Sequence, residues 1–111
     1  MDGHDEFERA ASVIPAGFWT AYGEIASAVT GRRTAARAVG RSAARNRSFP
    51  NAWRVIHADG SIPEGWGSGG DGPAKCRELL EAEGVRFTRG RADPAKKILA
   101  DEIELLLAGD S

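Results

Sequence analysis

Two short helical patterns joined by a tight turn at Gly31 constrain the fold of this 111-residue chain more than any other feature. Thr20 can cap the first helix, and Thr34 can cap the second, which is predicted over residues 35–45. Two short helices joined in this way, with the second one rich in arginine, are typical of a helix-turn-helix motif.

Arginine is concentrated in the same part of the chain. Residues 25–58 hold seven basic side chains and no Asp or Glu, whereas the rest of the chain carries 8 basic and 16 acidic residues. Arg37, Arg41 and Arg45 are spaced by four, so they share one helix face, where like charges repel unless an anion lies opposite. Arginine also suits bidentate phosphate contacts. The pattern favours a nucleic-acid or phosphate surface, with a solvated basic stripe as the alternative.

The remaining patterns predict a mainly α fold: a winged helix-turn-helix with a small β element and an extra C-terminal helix. Phe7, Ala10, Ala11 and Ile14 have the spacing of one buried helix face. Further elements are a strand over 53–57, a glycine-rich loop over 64–72, a helix over 73–84, an edge strand over 85–88 and a last helix from Asp93-Pro94 to about Leu107. We expect one domain over residues 1–90 and a helical extension over 91–111.

Several protein classes are excluded by what the sequence lacks. Its one cysteine, Cys76, cannot form an internal disulfide and suits a reducing cytosol as a small hydrophobic residue. No Cys/His cluster has metal-ligand spacing, so we expect no metal and no cofactor. No stretch approaches a membrane span of about 18 apolar residues, and the acidic start is unlike a signal peptide. We therefore expect a cytoplasmic protein, associated with the nucleoid in a bacterium or nuclear in a eukaryote.

Six segments form an ordered series over about residues 7–85. They are Ile14-Pro15-Ala16-Gly17 with Tyr22-Gly23-Glu24-Ile25-Ala26, then Ala35-Ala36-Arg37-Ala38-Val39-Gly40, Asn46, Arg54-Val55-Ile56 with Asp59-Gly60, Ser68-Gly69-Gly70, and Leu79-Leu80-Glu81-Ala82-Glu83-Gly84. In this order they resemble the DNA-binding domain of the O6-alkylguanine-DNA alkyltransferases.

The chain departs from that family at its reactive centre. The family carries Pro-Cys-His-Arg, whereas this chain reads Asn51-Ala52-Trp53-Arg54. The resemblance therefore places Ala52 at the alkyl-accepting cysteine and Trp53 at the histidine. Glu83 matches the carboxylate that orients that histidine, and we expect it to have nothing to orient. An alanine methyl group is not a nucleophile. We therefore expect that the protein is not an enzyme and transfers no alkyl group.

The chain is thus similar to the alkyltransferase-like proteins, which lack the cysteine, bind alkylated guanine in DNA and pass the lesion to nucleotide excision repair. In familiar members tryptophan replaces the cysteine and the histidine stays, whereas here the tryptophan lies one place later. The resemblance implies base flipping through the minor groove. The expected partners are duplex DNA containing alkylated guanine and nucleotide excision repair proteins, with no membrane.

The resemblance also implies roles for individual residues. Arg37 would fill the space left by the flipped base, and Tyr22 would help to rotate the phosphate. Arg54 and Asn46 are expected to be structural. The predicted DNA-binding residues are Tyr22, Thr34, Arg37, Arg41 and Arg45, and the predicted lesion-pocket residues are Tyr22, Ala52, Trp53, Trp66 and Ser68.

Three other functions remain open at this point. A winged-helix regulator would use the same arginine face without lesion specificity. An interaction module would present the basic stripe to an acidic protein. An enzyme would need Cys76 as its alkyl acceptor.

Overall fold

Helices account for most of the structure, a computed structural model that describes residues 3–45, 49–68 and 70–109. The α-helices in these ranges are α1 (Gly3–Ser12), α2 (Tyr22–Thr30), α3 (Ala36–Arg45), α4 (Gly72–Ala82) and α5 (Ala100–Gly109). The prediction of a mainly α fold with a small β element is confirmed. Within the described ranges, no helix has the length and apolar character that crossing a membrane requires.

In the described part of the chain, four two-residue strands form two separate pairs. Strands β1 (Thr20–Ala21) and β2 (Val55–Ile56) are parallel and buried, with Ala21 opposite Ile56. Strands β3 (Phe87–Thr88) and β4 (Arg91–Ala92) form an antiparallel hairpin. Its two turn residues, Arg89 and Gly90, have φ of 54° and 78°, which is the backbone of a type I′ turn. The edge strand predicted over residues 85–88 contains β3, whereas no sequence pattern predicted β4.

Two apolar clusters hold the elements together. The first joins α1, α2, α3 and α5 through buried residues that include Phe7, Ile25, Val39 and Ile103. The second lies around Trp19 and brings together Ile56, Cys76, Leu80, Val85 and Ala92. Phe7, Ala10, Ala11 and Ile14 are all buried, as their spacing predicts. Because Ile98 and Ile103 belong to the first cluster, the C-terminal segment covers the core.

The predicted cap of α2 is wrong. Thr20 lies in β1, and its hydroxyl donates a hydrogen bond to the Ile98 carbonyl at 2.6 Å. Helix α2 begins at Tyr22 after the extended Ala21, without a side-chain cap. The acceptor of the buried Thr20 hydroxyl lies 78 residues further along the chain, so the local sequence does not reveal this contact.

Two other helix starts also differ from the prediction. Thr34 lies inside a 3₁₀ turn, Arg33–Ala35, which precedes α3, so it does not cap that helix. Asp93 does cap, since its side chain accepts the Ala95 N–H, but it caps a 3₁₀ turn, Pro94–Lys96. Helix α5 begins later, at Ala100. Short 3₁₀ turns commonly serve as such connectors.

Candidate nucleic-acid interface

An open cleft of about 1090 Å³ lies between α3, the start of α2 and the chain that follows β2. It brings together four residues that the sequence analysis selected: Tyr22, Arg37, Ala52 and Trp66. It also takes in Arg33, one of the seven clustered arginines. Large, partly apolar clefts with a few convergent polar groups are the usual form of a binding site.

Small residues of α3 face this cleft. Ala36, Gly40 and Ala43 line it, whereas Val39 is fully buried in the first core cluster. Ala43 lines the cleft and also packs against that cluster. Arg37 is exposed and stands at the cleft. A helix face of short side chains lets a ligand approach the helix backbone closely.

A buried glutamate on α2 holds a second arginine at the cleft. Glu24 is 2% exposed, and its carboxylate binds the guanidinium of Arg33, which is 68% exposed. Its other oxygen accepts the Ala100 N–H at 3.0 Å, at the first residue of α5. Arg33 is one of the seven basic residues counted over residues 25–58, and it was not among the predicted site residues. The sequence signal for this contact was Glu24 itself, a charged residue beside the apolar positions of a short helix, which needs a cationic partner if it is buried.

The floor and one wall of the cleft are linked by a hydrogen bond. Ala52 begins a 3₁₀ turn, Ala52–Arg54, and its carbonyl accepts the indole N–H of Trp66 at 3.4 Å. A Cβ at Gly72 would lie 1.8 Å from the Trp66 carbonyl oxygen. Only glycine allows this close approach. The Trp66 backbone therefore packs directly against the start of α4, with the Trp66 side chain at the cleft wall.

Trp53 does not line the cleft, contrary to its place among the predicted pocket residues. It packs partly buried against the second core cluster, and its indole N–H donates to the Glu83 carboxylate at 3.1 Å. The expectation that Glu83 has nothing to orient is therefore wrong, because this carboxylate fixes the indole. Burial by itself would raise the pKa of Glu83. Hydrogen bonds from Arg54, Trp53 and the Gly17 N–H outweigh burial and hold this pKa below its usual value.

Arg54 joins the ends of two helices below the cleft. Its guanidinium binds Glu83 at 2.6 Å, just beyond the end of α4, and donates to the Ile14 carbonyl at 2.8 Å, just beyond the end of α1. These contacts agree with the structural role expected for Arg54 and tie the ends of α1 and α4 together. Asn51, with φ of 54°, adds a bond to the Ala11 carbonyl at 3.0 Å. The turn that carries Ala52 is thus anchored from beneath.

Burial keeps the Tyr22 hydroxyl and the Cys76 thiol protonated. Burial, and then the proximity of Cys76, raises the pKa of Tyr22 to about 12. Burial likewise raises the pKa of the Cys76 thiol to about 12, and this thiol donates to the Trp53 carbonyl at 3.4 Å. Cys76 does not line the cleft. At neutral pH Tyr22 therefore offers a hydroxyl donor, and Cys76 offers no thiolate.

The other predicted site residues lie away from the cleft or outside the described part of the structure. Thr34 and Arg41 are exposed and do not line the cleft. The side chains of Arg45 and Ser68, and all of Asn46, fall outside the described part of the structure. Among the residues that are described, no group of three or more His, Cys, Asp or Glu could hold a metal ion.

The helix pair and its cleft define a class of DNA-binding domain, and the comparisons identify it. The family model described as "6-O-methylguanine DNA methyltransferase, DNA binding domain" matches residues 4–85. The chain therefore belongs to the 6-O-methylguanine DNA methyltransferase family. The comparison with curated proteins finds no match.

Solved structures agree with this assignment. The chain is similar to S. pombe Atl1 in complex with damaged DNA containing O6-carboxymethylguanine, with 28% identity, a TM-score of 0.72 and coverage of 86% of this chain and 93% of that one. It is also similar to the O6-methylguanine methyltransferase of Mycobacterium tuberculosis, with 34% identity, a TM-score of 0.63 and coverage of 80% of this chain. The match spans 52% of that enzyme, or about half of its length.

Proposed function

We propose that this protein binds duplex DNA containing O6-alkylated guanine, accepts the extruded base in the cleft and leaves the alkyl group in place. The observation that carries the proposal is the cleft itself, which places Tyr22, Arg37 and Trp66 around a floor made by Ala52. The likeness to Atl1, whose structure contains damaged DNA, supports the choice of ligand.

Base extrusion gives each cleft residue a task. Flipping costs a few kcal/mol of stacking and pairing, and a lesion that already pairs poorly costs less. The planar guanidinium of Arg37 can stack in the vacated space and hydrogen-bond to the orphaned base. The Tyr22 hydroxyl, which stays protonated, can donate to the rotated phosphate. The small residues of α3 allow the helix to lie close to the minor groove.

The absence of alkyl transfer follows from the groups at the floor. Ala52 offers only a methyl group where the family has a nucleophilic cysteine. Trp53 cannot accept a proton, because an indole nitrogen is a donor only and this one is engaged with Glu83. Cys76 is buried, protonated and outside the cleft. A bound lesion therefore stays on the DNA, where we propose that the complex marks it for nucleotide excision repair in the compartment that holds the genome.

A second candidate is DNA binding without lesion preference, as in a winged-helix regulator. The exposed arginines at the cleft, Arg33 and Arg37, favour it, because phosphate contacts alone give sequence-independent affinity.

Equilibrium binding to two matched duplexes separates the candidates. The duplexes have the same sequence and differ only in one O6-methylguanine, and both are measured at physiological salt by fluorescence anisotropy. Lesion recognition predicts tighter binding to the modified duplex. Equal affinity would favour the regulator and contradict the proposed function.

A further inference from the structure

The parallel strand pair brings a histidine to the cleft that neither the sequence nor the family match selects. Ala21 of β1 lies opposite Ile56 of β2, so the residues that follow them, Tyr22 and His57, leave the pair at the same edge. Their rings meet edge to face with centroids 6.2 Å apart. Both side chains line the cleft. His57 therefore stands beside the tyrosine that we assign to the rotated phosphate.

The His57 ring is exposed and available to a ligand. Its backbone N–H donates to the Ser61 carbonyl at 3.0 Å, which fixes the main chain. Across residues 3–45, 49–68 and 70–109, no protein group forms a hydrogen bond with the ring nitrogens. Its only ring contact in those ranges is with Tyr22. An imidazole at the cleft with both nitrogens unused can donate to an external anion when it is protonated.

Among the described residues, the Asp59 carboxylate interacts electrostatically with His57, and other groups already engage it. Asp59 accepts hydrogen bonds from the N–H and the hydroxyl of Ser61, at 2.9 Å and 2.6 Å, and pairs with Arg91 at 3.7 Å. Tyr22 on α2 stays neutral, as its raised pKa of about 12 requires.

Cationic side chains lie at the same cleft or next to His57 in the chain. Arg33 precedes α3 and Arg37 lies on α3, and both line the same cleft. The Lys97 ammonium donates to the Ala58 carbonyl at 3.0 Å, next to His57 in the chain. A bound phosphate would favour the protonated, charged form of an imidazole beside it.

From this placement we infer that His57 is a DNA-backbone ligand that takes up a proton on binding, so that affinity for DNA rises as pH falls. The inference rests on the proposed function, because it assumes that the lesion strand enters this cleft. Imidazole is the side chain whose charge ordinarily changes between pH 5 and 8. If DNA binding favours the protonated ring, protonation must equally favour DNA binding.

The experiment measures affinity at pH 8.0 and pH 6.0 at constant ionic strength, for the O6-methylguanine duplex and its unmodified match. The variants are His57→Gln, which cannot be protonated, and His57→Phe, which keeps a ring against Tyr22. His4→Gln is the control, since His4 is the other of the chain's two histidines. Native folding of each variant is checked by urea unfolding.

Wild type and His4→Gln should bind both duplexes roughly three- to tenfold more tightly at pH 6.0, which corresponds to up to about one pKa unit of coupling. Both His57 variants should show the same affinity at the two pH values. For wild type, the salt dependence should steepen by about one phosphate contact at pH 6.0. A pH effect that persists in both His57 variants, or no pH effect in wild type, overturns the inference.

The two duplexes keep this inference separate from the proposed function. A lesion preference at pH 8.0 without any pH effect would overturn the role of His57 alone. A pH effect on both duplexes without lesion preference would overturn the proposed lesion specificity alone. No binding to either duplex would overturn both.

Discussion

At the scale of single residues, the central feature is the carboxylate of Glu83. It accepts hydrogen bonds from Trp53, Arg54 and the Gly17 N–H, so the turn at residues 52–54 and the segment at Gly17 meet at one side chain. These partners are half-buried. Hydrogen bonds to an ionised group are stronger than bonds between neutral groups. In this chain Glu83 fixes an indole and an arginine beneath the cleft.

Removing this carboxylate should destabilise the protein in a pH-dependent way. Glu83→Ala should lower the free energy of unfolding by about 3 kcal/mol at pH 7, because it leaves Arg54 without its partner. Since the folded-state pKa of Glu83 lies below its usual value, this stability is present above the ordinary carboxyl range and is lost as pH falls through the folded pKa.

Urea unfolding at pH 7 and pH 3 measures this difference, with Glu81→Ala as the matched control. Glu81 is exposed and forms a surface pair with Arg77 at 3.4 Å, so its loss should have a much smaller effect. The account of Glu83 is contradicted if its variant and the wild type differ equally at both pH values.

The two exposed arginines of α3 should behave differently. Arg37 lines the cleft and Arg41 does not. Arg37→Ala should weaken binding to the O6-methylguanine duplex more than binding to its unmodified match, because it removes the group that fills the vacated stack. Arg41→Ala should weaken both equally and reduce the salt slope by about one unit if it contacts phosphate. Equal losses on both duplexes for Arg37→Ala would exclude the intercalating role.

At the scale of elements, the hydrophobic periodicity identified the helices, and long-range contacts decided where they begin. The spacing of Phe7, Ala10, Ala11 and Ile14 indicated α1 because a helix face is a local pattern. The start of α2 was misassigned because the Thr20 hydroxyl binds Ile98, far along the chain. Strand β4 was missed because two residues carry little pattern, although Arg89-Gly90 was a turn signal.

The C-terminal helix should be part of the cooperative fold. Ile103 on α5 is fully buried against α1 and α2, whereas Leu105 on the same helix is 73% exposed. Ile103→Ala should destabilise the protein by about 2–5 kcal/mol through the lost apolar contact and the cavity left behind. Leu105→Ala should change the free energy of unfolding little. Chemical denaturation of the two variants gives the comparison, and equal effects would show that α5 is not packed on the core.

Over the whole molecule, charge and packing separate the cleft from the rest of the chain. Among the described residues, those that line the cleft include Arg33 and Arg37 and no Asp or Glu, while the acidic residues Asp101 and Glu102 lie on α5. The family resemblance located Tyr22, Arg37 and Ala52 in advance. Arg33 and His57 were not selected because their positions depend on Glu24 and on the β1–β2 pairing.

The most direct test of binding without repair follows one label through one incubation. A duplex carrying O6-methylguanine labelled in its methyl group is mixed with excess protein and analysed on a native gel and, in parallel, after denaturation. Because Ala52 offers no nucleophile at the cleft floor, we predict that the label migrates as a protein–DNA complex on the native gel and remains entirely with the DNA after denaturation. Label found on the denatured protein would contradict the account.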